Sequence, residues 1–500
     1  MIDKEYDYKA INKNRKSGVI MHISSLPSKY GIGTLGKKAY EFCDFIKKAG
    51  FHYWQILPIG PTSYGDSPYQ SFSSFAGNPY FIDLDLLVED GLLEKSDFEN
   101  LDFGSDKLNV DYGKLYNNRY KVLEKAFLAF KDQKKLEKFI EENKEWLENY
   151  ALFMALKGYF LGKAWVNWDE DIKNREEKAV KMYKEKLKKE IQFQYFMQYE
   201  FFKQYNKLKN YVNSKGIEII GDMPIYCAED SVDVWSDKKQ FRLDLVGGCP
   251  PDSYADGGQL WGNPTYDWDF MKKDSYSWWI NRIEKSMKLF DILRIDHFRG
   301  FESYWAIPYG SKTAATGSWL KGPENDLFIK VKEKLGDIQI IAEDLGYTTK
   351  EVVAFREATG FPGMKMLQFA FDPDNESDFL PHNIERNWCV YPSTHDSETM
   401  QGWINTMQGS KELNFAKKYL NLTEEEGYTW GFLRGAWSSV ANIAITQIQD
   451  FFCLDNSSRM NVPSTLGNWK FRLDEKFLTD ENANKIYEFN KRYSRLNKTL

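Results

Sequence analysis

Four apolar runs in this sequence end in acids: Gly221-Asp222-Met223-Pro224, Arg294-Ile295-Asp296-His297, Ala342-Glu343-Asp344-Leu345 and Thr394-His395-Asp396. A carboxylate that finishes a hydrophobic strand is costly to desolvate unless it is paired or performs chemistry. A single ending of this kind could cap the next helix, the plain structural reading of Asp344 and Glu398. Four in one chain favour a shared functional face. If Ile292 to Phe298 is a strand, Arg294 and Asp296 point the same way, roughly 6–7 Å apart. Arg294 then holds Asp296 ionised by proximity, which suits a nucleophile. Cleaving a glycosidic bond with retention needs one ionised carboxylate and a protonated partner about 5–5.5 Å away. Glu343 has the reach of a proton donor, and Asp396 is left to grip sugar hydroxyls, with His395 and His297 as further donors. A structural reading stands beside this one. Arg294 and Asp296 could be a buried ion pair, His395 a core histidine, and Asp222 a turn residue before Pro224.

Positioning such acids requires several parallel strands. Short β-branched and aromatic runs separated by longer amphipathic stretches predict strands at Val19 to Ser24, Tyr53 to Ile59, Glu218 to Ile225, Ile292 to Phe298, Ile338 to Leu345, Met364 to Phe371, Val390 to Asp396 and near Ala444 to Phe452. Eight such strands predict an α/β fold, a (β/α)8 TIM barrel with helical and loop insertions between barrel strands. We expect one catalytic domain over residues 1–500. Residues 86–209, Lys/Glu-rich with helical periodicity, read as a mainly helical insertion, and the stripe Phe193, Phe196, Phe201 as its core. Ile59 to Pro79, Gly247 to Trp268 and Ala306 to Pro323 read as loops; residues 247–268 mix Tyr and Trp with turn residues, as expected of a cover over the active site.

Composition narrows the chemistry. The net charge of −6, without a basic block, excludes nucleic acid and anionic membranes as natural partners. The first eighteen residues lack an apolar leader core and no later run is long enough to span a bilayer, so a cytoplasmic protein is expected. The 5 cysteines are dispersed without a CxxC pair and the 5 histidines lack metal-ligand spacing, so neither a disulfide framework nor a transition-metal site is expected.

Against this background the whole chain resembles glycoside hydrolase family 77, the 4-α-glucanotransferases called amylomaltases or disproportionating enzymes. The resemblance runs from SGVIMHISSLPSKYGIGTLG through YGDSPYQ, SSFAGNPY, GDMPIY, PPDSYADGGQLWGNPTYDW, RIDHFRG, AEDLG, FPGMKMLQFAFD and STHD to NVPSTLGNW. It implies Asp296 as nucleophile, Glu343 as general acid/base and Asp396 as transition-state stabiliser, with Arg294 and His395 beside them. It further implies that Tyr64, Tyr254, Trp261, Asp372 and Asn468 contact the glucan, and that no metal or organic cofactor is needed. The chain departs from many relatives after Asp396, reading Ser397-Glu398-Thr399 where they have Asn-Asp-Thr.

Transfer and hydrolysis share a covalent intermediate and differ in what resolves it. Aromatic loops that present an acceptor sugar and exclude water favour transfer. The expected reaction is disproportionation of malto-oligosaccharides and α-1,4-glucans. The alternatives are a retaining amylase-type hydrolase and a non-catalytic glucan-binding protein. The latter has no reason to keep all four charged residues.

Overall fold

The computed structural model describes residues 15–63, 65–251 and 257–498. Eight strands form one parallel sheet: β1 (Lys16–Ile20), β2 (Tyr53–Gln55), β3 (Glu218–Met223), β6 (Ile292–Ile295), β9 (Ile340–Ala342), β10 (Gly363–Met366), β11 (Trp388–Tyr391) and β12 (Ile443–Gln447). Their order is β10-β11-β12-β1-β2-β3-β6-β9. The two ends meet where the Ala342 N–H donates to Pro362 O at 2.9 Å, which closes the (β/α)8 barrel. Asp344 sits at this seam rather than capping a helix. It accepts from the Met364 N–H at 2.9 Å and pairs with Arg356 at 3.0 Å.

Strands lie where the apolar runs predicted them, but several end sooner. The seventh run leaves the ladder after Tyr391, and Thr394 to Ser397 form a turn in which the Thr394 N–H donates to Ser397 Oγ. The eighth stops at Gln447 and turns into the short helix Ile448–Phe451. Asp296 and Glu343 each follow the last residue of their strand.

At the far side of the barrel, β1 pairs with β12 in register, Lys16 opposite Ile443 through Ile20 opposite Gln447. Arg495 fastens this junction: its buried guanidinium donates to the carbonyls of Lys16, Trp437, Ser439, Ala441 and Asn442.

Between β2 and β3 the chain is mostly helical, with long helices Tyr112–Ala129, Gln133–Tyr159 and Lys188–Ser214. Asp111 and Asp132 cap the first two, accepting from backbone N–H groups of the opening turn. Phe196 and Phe201 are fully buried, and Phe193 packs on Phe127, so this stripe is core as expected. The third helix also holds an active-site loop. Gln198 bonds both backbone groups of Gly77, and Gln204, nearly two turns on, does the same for Asp83. A side chain at Gly77 would collide with the Phe201 ring, so only glycine lets the loop lie this close.

The stretches read as loops at Gly247 to Trp268 and Ala306 to Pro323 both contain strands. They contribute to a four-stranded antiparallel sheet, β5-β4-β7-β8, formed by β4 (Phe241–Cys249), β5 (Gln259–Tyr266), β7 (Ser303–Pro308) and β8 (Ser318–Lys321). Register shifts between Arg242 and Gly248 interrupt the alternation that would have revealed it.

Candidate active site

The register of β3 against β6 places Asp222 opposite Arg294. Arg294 Nη1 lies 2.7 and 2.6 Å from the two Asp222 oxygens and 3.2 Å from Asp296 Oδ1. Its principal partner is therefore Asp222, which corrects the expectation of a dedicated Arg294–Asp296 pair. The sequence spacing showed which side chains share a face but not which neighbouring strand faces them. The Arg294 and Asp222 side chains are sealed, at 4% and 0% exposure, while Asp296 keeps 26% and looks into the cleft.

With most of the guanidinium's charge spent on Asp222, Asp296 is not held low. Burial deep in the cleft raises its carboxyl, Arg294 opposes this, and the charges of Glu343, Asp222 and Asp396 raise it further. Glu343 is raised as well, by burial, against the pull of Arg294 and of two backbone donors. Those donors are the N–H groups of His297 at 2.7 Å and Leu345 at 2.9 Å, which fix the carboxyl's orientation. Burial thus pushes both carboxyls toward the protonated form. His297 contributes through its backbone. Its φ of 50° aims the N–H at Glu343, while burial lowers its imidazole to about 3 and the ring meets Trp261 edge-on at 4.8 Å.

Asp396 goes the other way. Burial alone would raise it, but His395, the Asn461 amide and Arg294 outweigh burial and hold the carboxyl well below its usual range. His395 Nε2 lies 3.1 Å from Asp396 Oδ2, and Asn461 Nδ2 donates to Oδ1 at 2.7 Å. Arg459 ties the Asp396 carbonyl to that of Asn461. Tyr69 joins the two halves of the site. Its hydroxyl donates to Asp222 Oδ2 at 2.8 Å and lies 2.6 Å from His395 Nε2, with the two rings parallel within 6°. This order of donors assigns a hydrogen to His395 Nε2, directed at Tyr69 and Asp396.

Five predicted site residues, Arg294, Asp296, Glu343, His395 and Asp396, thus come together on the rim of the barrel, and Trp261 reaches it through His297. Asp372 is exposed and its carboxylate is engaged in a local turn with Asp374 and Asn375. The Asn468 side chain is likewise occupied by its own loop, bonded to Val462 and Thr465. Tyr64 and Tyr254 lie outside the described residues. Sequence reasoning missed Tyr69, Asn461, Arg459 and Trp469, whose ring packs against those of Tyr69 and His395, and left Asp222 undecided. Tyr69 and Asn461 stand inside quoted motifs, YGDSPYQ and NVPSTLGNW, and a polar residue in an aromatic loop was the available signal. Glu398, where the chain departs from relatives, accepts from Thr406 and Asn456.

Among the described residues no cluster of three or more His, Cys, Asp or Glu has the arrangement to hold a metal ion. No helix among them is long and apolar enough to cross a membrane. The arrangement combines two carboxyls raised by burial with a third held low by its partners.

Residues 21–479 match the profile of the family described as 4-alpha-glucanotransferase. A 4-alpha-glucanotransferase of Clostridium butyricum is 55% identical over 485 residues, 95% of this chain and 100% of the relative. One from Streptococcus pneumoniae is 52% identical, covering 98% of this chain and 99% of its own. The solved amylomaltase from Streptococcus agalactiae in complex with acarbose superposes with a TM-score of 0.94 at 44% identity, covering 97% of this chain and all of that one. With a matching profile over most of its length, relatives of equal size and a shared barrel, this chain belongs to the glycoside hydrolase 77 family of 4-alpha-glucanotransferases.

Proposed function

We propose that this chain moves a segment of an α-1,4-glucan to the 4-hydroxyl of glucose or another glucan, with retention. In this reading Asp296 attacks the anomeric carbon while Glu343 gives its proton to the departing 4-oxygen, and the C1–O4 bond breaks. The glycosyl ester on Asp296 is then opened by an acceptor 4-hydroxyl, whose proton returns to Glu343 as the ester oxygen leaves. Asp396, its carboxyl held well below the usual range, accepts from hydroxyls of the reacting ring and stabilises its positive transition state. The observation that carries this is the placing of Asp296 and Glu343 at the ends of the neighbouring strands β6 and β9, with Arg294 Nη1 3.2 Å from Asp296 Oδ1 and the Glu343 carboxyl oriented by the N–H groups of His297 and Leu345. The reaction needs a proton on Glu343 and the charge on Asp296. Arg294, touching only Asp296 of the two, favours the charge there, and a glycosidic oxygen against Glu343 completes the assignment.

Tyr64, Tyr254, Trp261, Asp372 and Asn468 contact the glucan in this reading, with Tyr254 and Trp261 serving the acceptor. We read the chain as one catalytic unit in which the helical insertion braces the Tyr69 loop and the antiparallel sheet walls the cleft. The substrates are malto-oligosaccharides and starch-like chains, and no metal or organic cofactor takes part. Five unbridged cysteines and the acidic balance fit a cytoplasmic setting. Incubation with maltotriose tests the function: a ladder of longer oligosaccharides with released glucose is expected, and conversion to shorter sugars alone would make the chain a hydrolase.

A further inference from the structure

The antiparallel sheet ends in an open edge strand, β8, and its face toward Arg299 is aromatic. Trp319 on β8 stands directly opposite Trp305 on β7, and their rings meet edge-to-face at 5.2 Å. The Arg299 guanidinium lies 4.1 Å over the Trp319 ring and fixes it from behind, and it also donates to Tyr347 O at 2.5 Å. The Tyr347 ring continues the surface, 22° from parallel with Trp319 and 6.2 Å away between centroids. Trp319 is 37% exposed and Tyr347 66%, well above what packing requires of two large rings so well anchored.

We propose that Trp319 and Tyr347, backed by Arg299, form a second binding platform for a neutral α-1,4-glucan chain outside the catalytic cleft. The inference rests on the substrate class proposed above. Two flat, stepped rings fit the apolar faces of successive glucose units. The surrounding charges cancel locally: Lys321 pairs with Glu302 and Glu324, and Arg299 donates to Ser303 Oγ at 2.9 Å. They leave no net field for an anion and offer polar groups to hydroxyls. A protein partner would need a far larger apolar area than two rings supply. The platform is also continuous with the active site. Arg299 follows Asp296 by three positions and Tyr347 follows Glu343 by four, so a long chain held here leads toward the carboxylates.

The test separates this platform from the reaction. In the inactive Asp296→Asn background, native-gel migration through amylopectin reads binding alone; Tyr347→Ala and Trp319→Ala should each weaken retardation by roughly 3- to 10-fold. In the active enzyme the same substitutions should raise KM for amylose by a similar factor while the KM for maltotriose, too short to reach both sites, changes much less. Unchanged retardation and amylose KM in folded variants would overturn the proposal. So would equal losses on both substrates, which place these rings in the cleft. If Trp319→Ala unfolds, the exposed Tyr347→Ala decides. Absence of transfer from maltotriose by the unmodified enzyme would sink the functional reading, and gel retardation would still report on the platform.

Discussion

Asp396 and the Asp296–Glu343 pair stand on one barrel rim, within reach of the same arginine, and their surroundings drive them apart. Asp396 is held low by His395, which also meets Tyr69, and by the Asn461 amide. Asp296 shares Arg294 with a sealed competitor, Asp222, and feels the charge of Glu343, so its carboxyl is raised. Burial raises all three; at Asp396 the pull of His395, the Asn461 amide and Arg294 outweighs it, and at Asp296 and Glu343 the opposing groups do not. Asp222 matters here as the group that draws Arg294 away from Asp296.

The comparison breaks first at Asp296. Asp296→Asn should lower kcat by about four orders of magnitude with the fold intact, and near-normal turnover would remove it from its role. A raised carboxyl binds its proton more tightly folded than unfolded, so its contribution to stability falls as pH rises above the unfolded value. Asp296→Asn should therefore melt no lower than the parent at about pH 8, and any advantage should vanish near pH 4. Glu343→Gln comes next, with a loss of roughly 10²- to 10⁴-fold. The parent's activity should fall as pH rises through the pair's elevated pKa, and this basic limb should be absent in Glu343→Gln with a substrate whose leaving group needs no proton. Asp222→Asn sharpens the contrast. Breaking the buried pair should cost about 3–5 kcal/mol in urea unfolding. The freed Arg294 should then lower the pair, and the basic limb should move to lower pH; an unmoved limb would mean that Asp222 does not compete. The smallest effect belongs to Asn461→Ala. Removing one donor from a charged carboxylate should reduce kcat/KM about tenfold. With Asp396 raised, activity should begin to fail at a higher pH on acidification.

The barrel and its acids were legible because a buried parallel strand is a nearly continuous apolar run, so a terminal carboxylate stands out. Arg294's true partner was not, since alternation within one strand places Arg294 and Asp296 on a face but carries no information on the Asp222 register across it. The antiparallel sheet was hidden for a local reason: Gly247, Gly248, Gly262 and Pro264 imitate turn chemistry where the strands only shift register. Tyr69 and Asn461 act from loops whose course is set by distant clamps such as Gln198 on Gly77, beyond what spacing can show.

The pairing of β1 with β12, fastened by Arg495 across 479 positions to Lys16, bears on how the molecule is made. During synthesis β1 leaves the ribosome with its outer edge unpaired, and its partner arrives only when nearly all of this sequence has been translated. The nascent chain carries an open parallel sheet for most of its elongation, the condition in which strand edges invite association with other chains. Slow translation or loss of the arginine clamp should therefore show itself first as lost yield, before any defect in the finished enzyme.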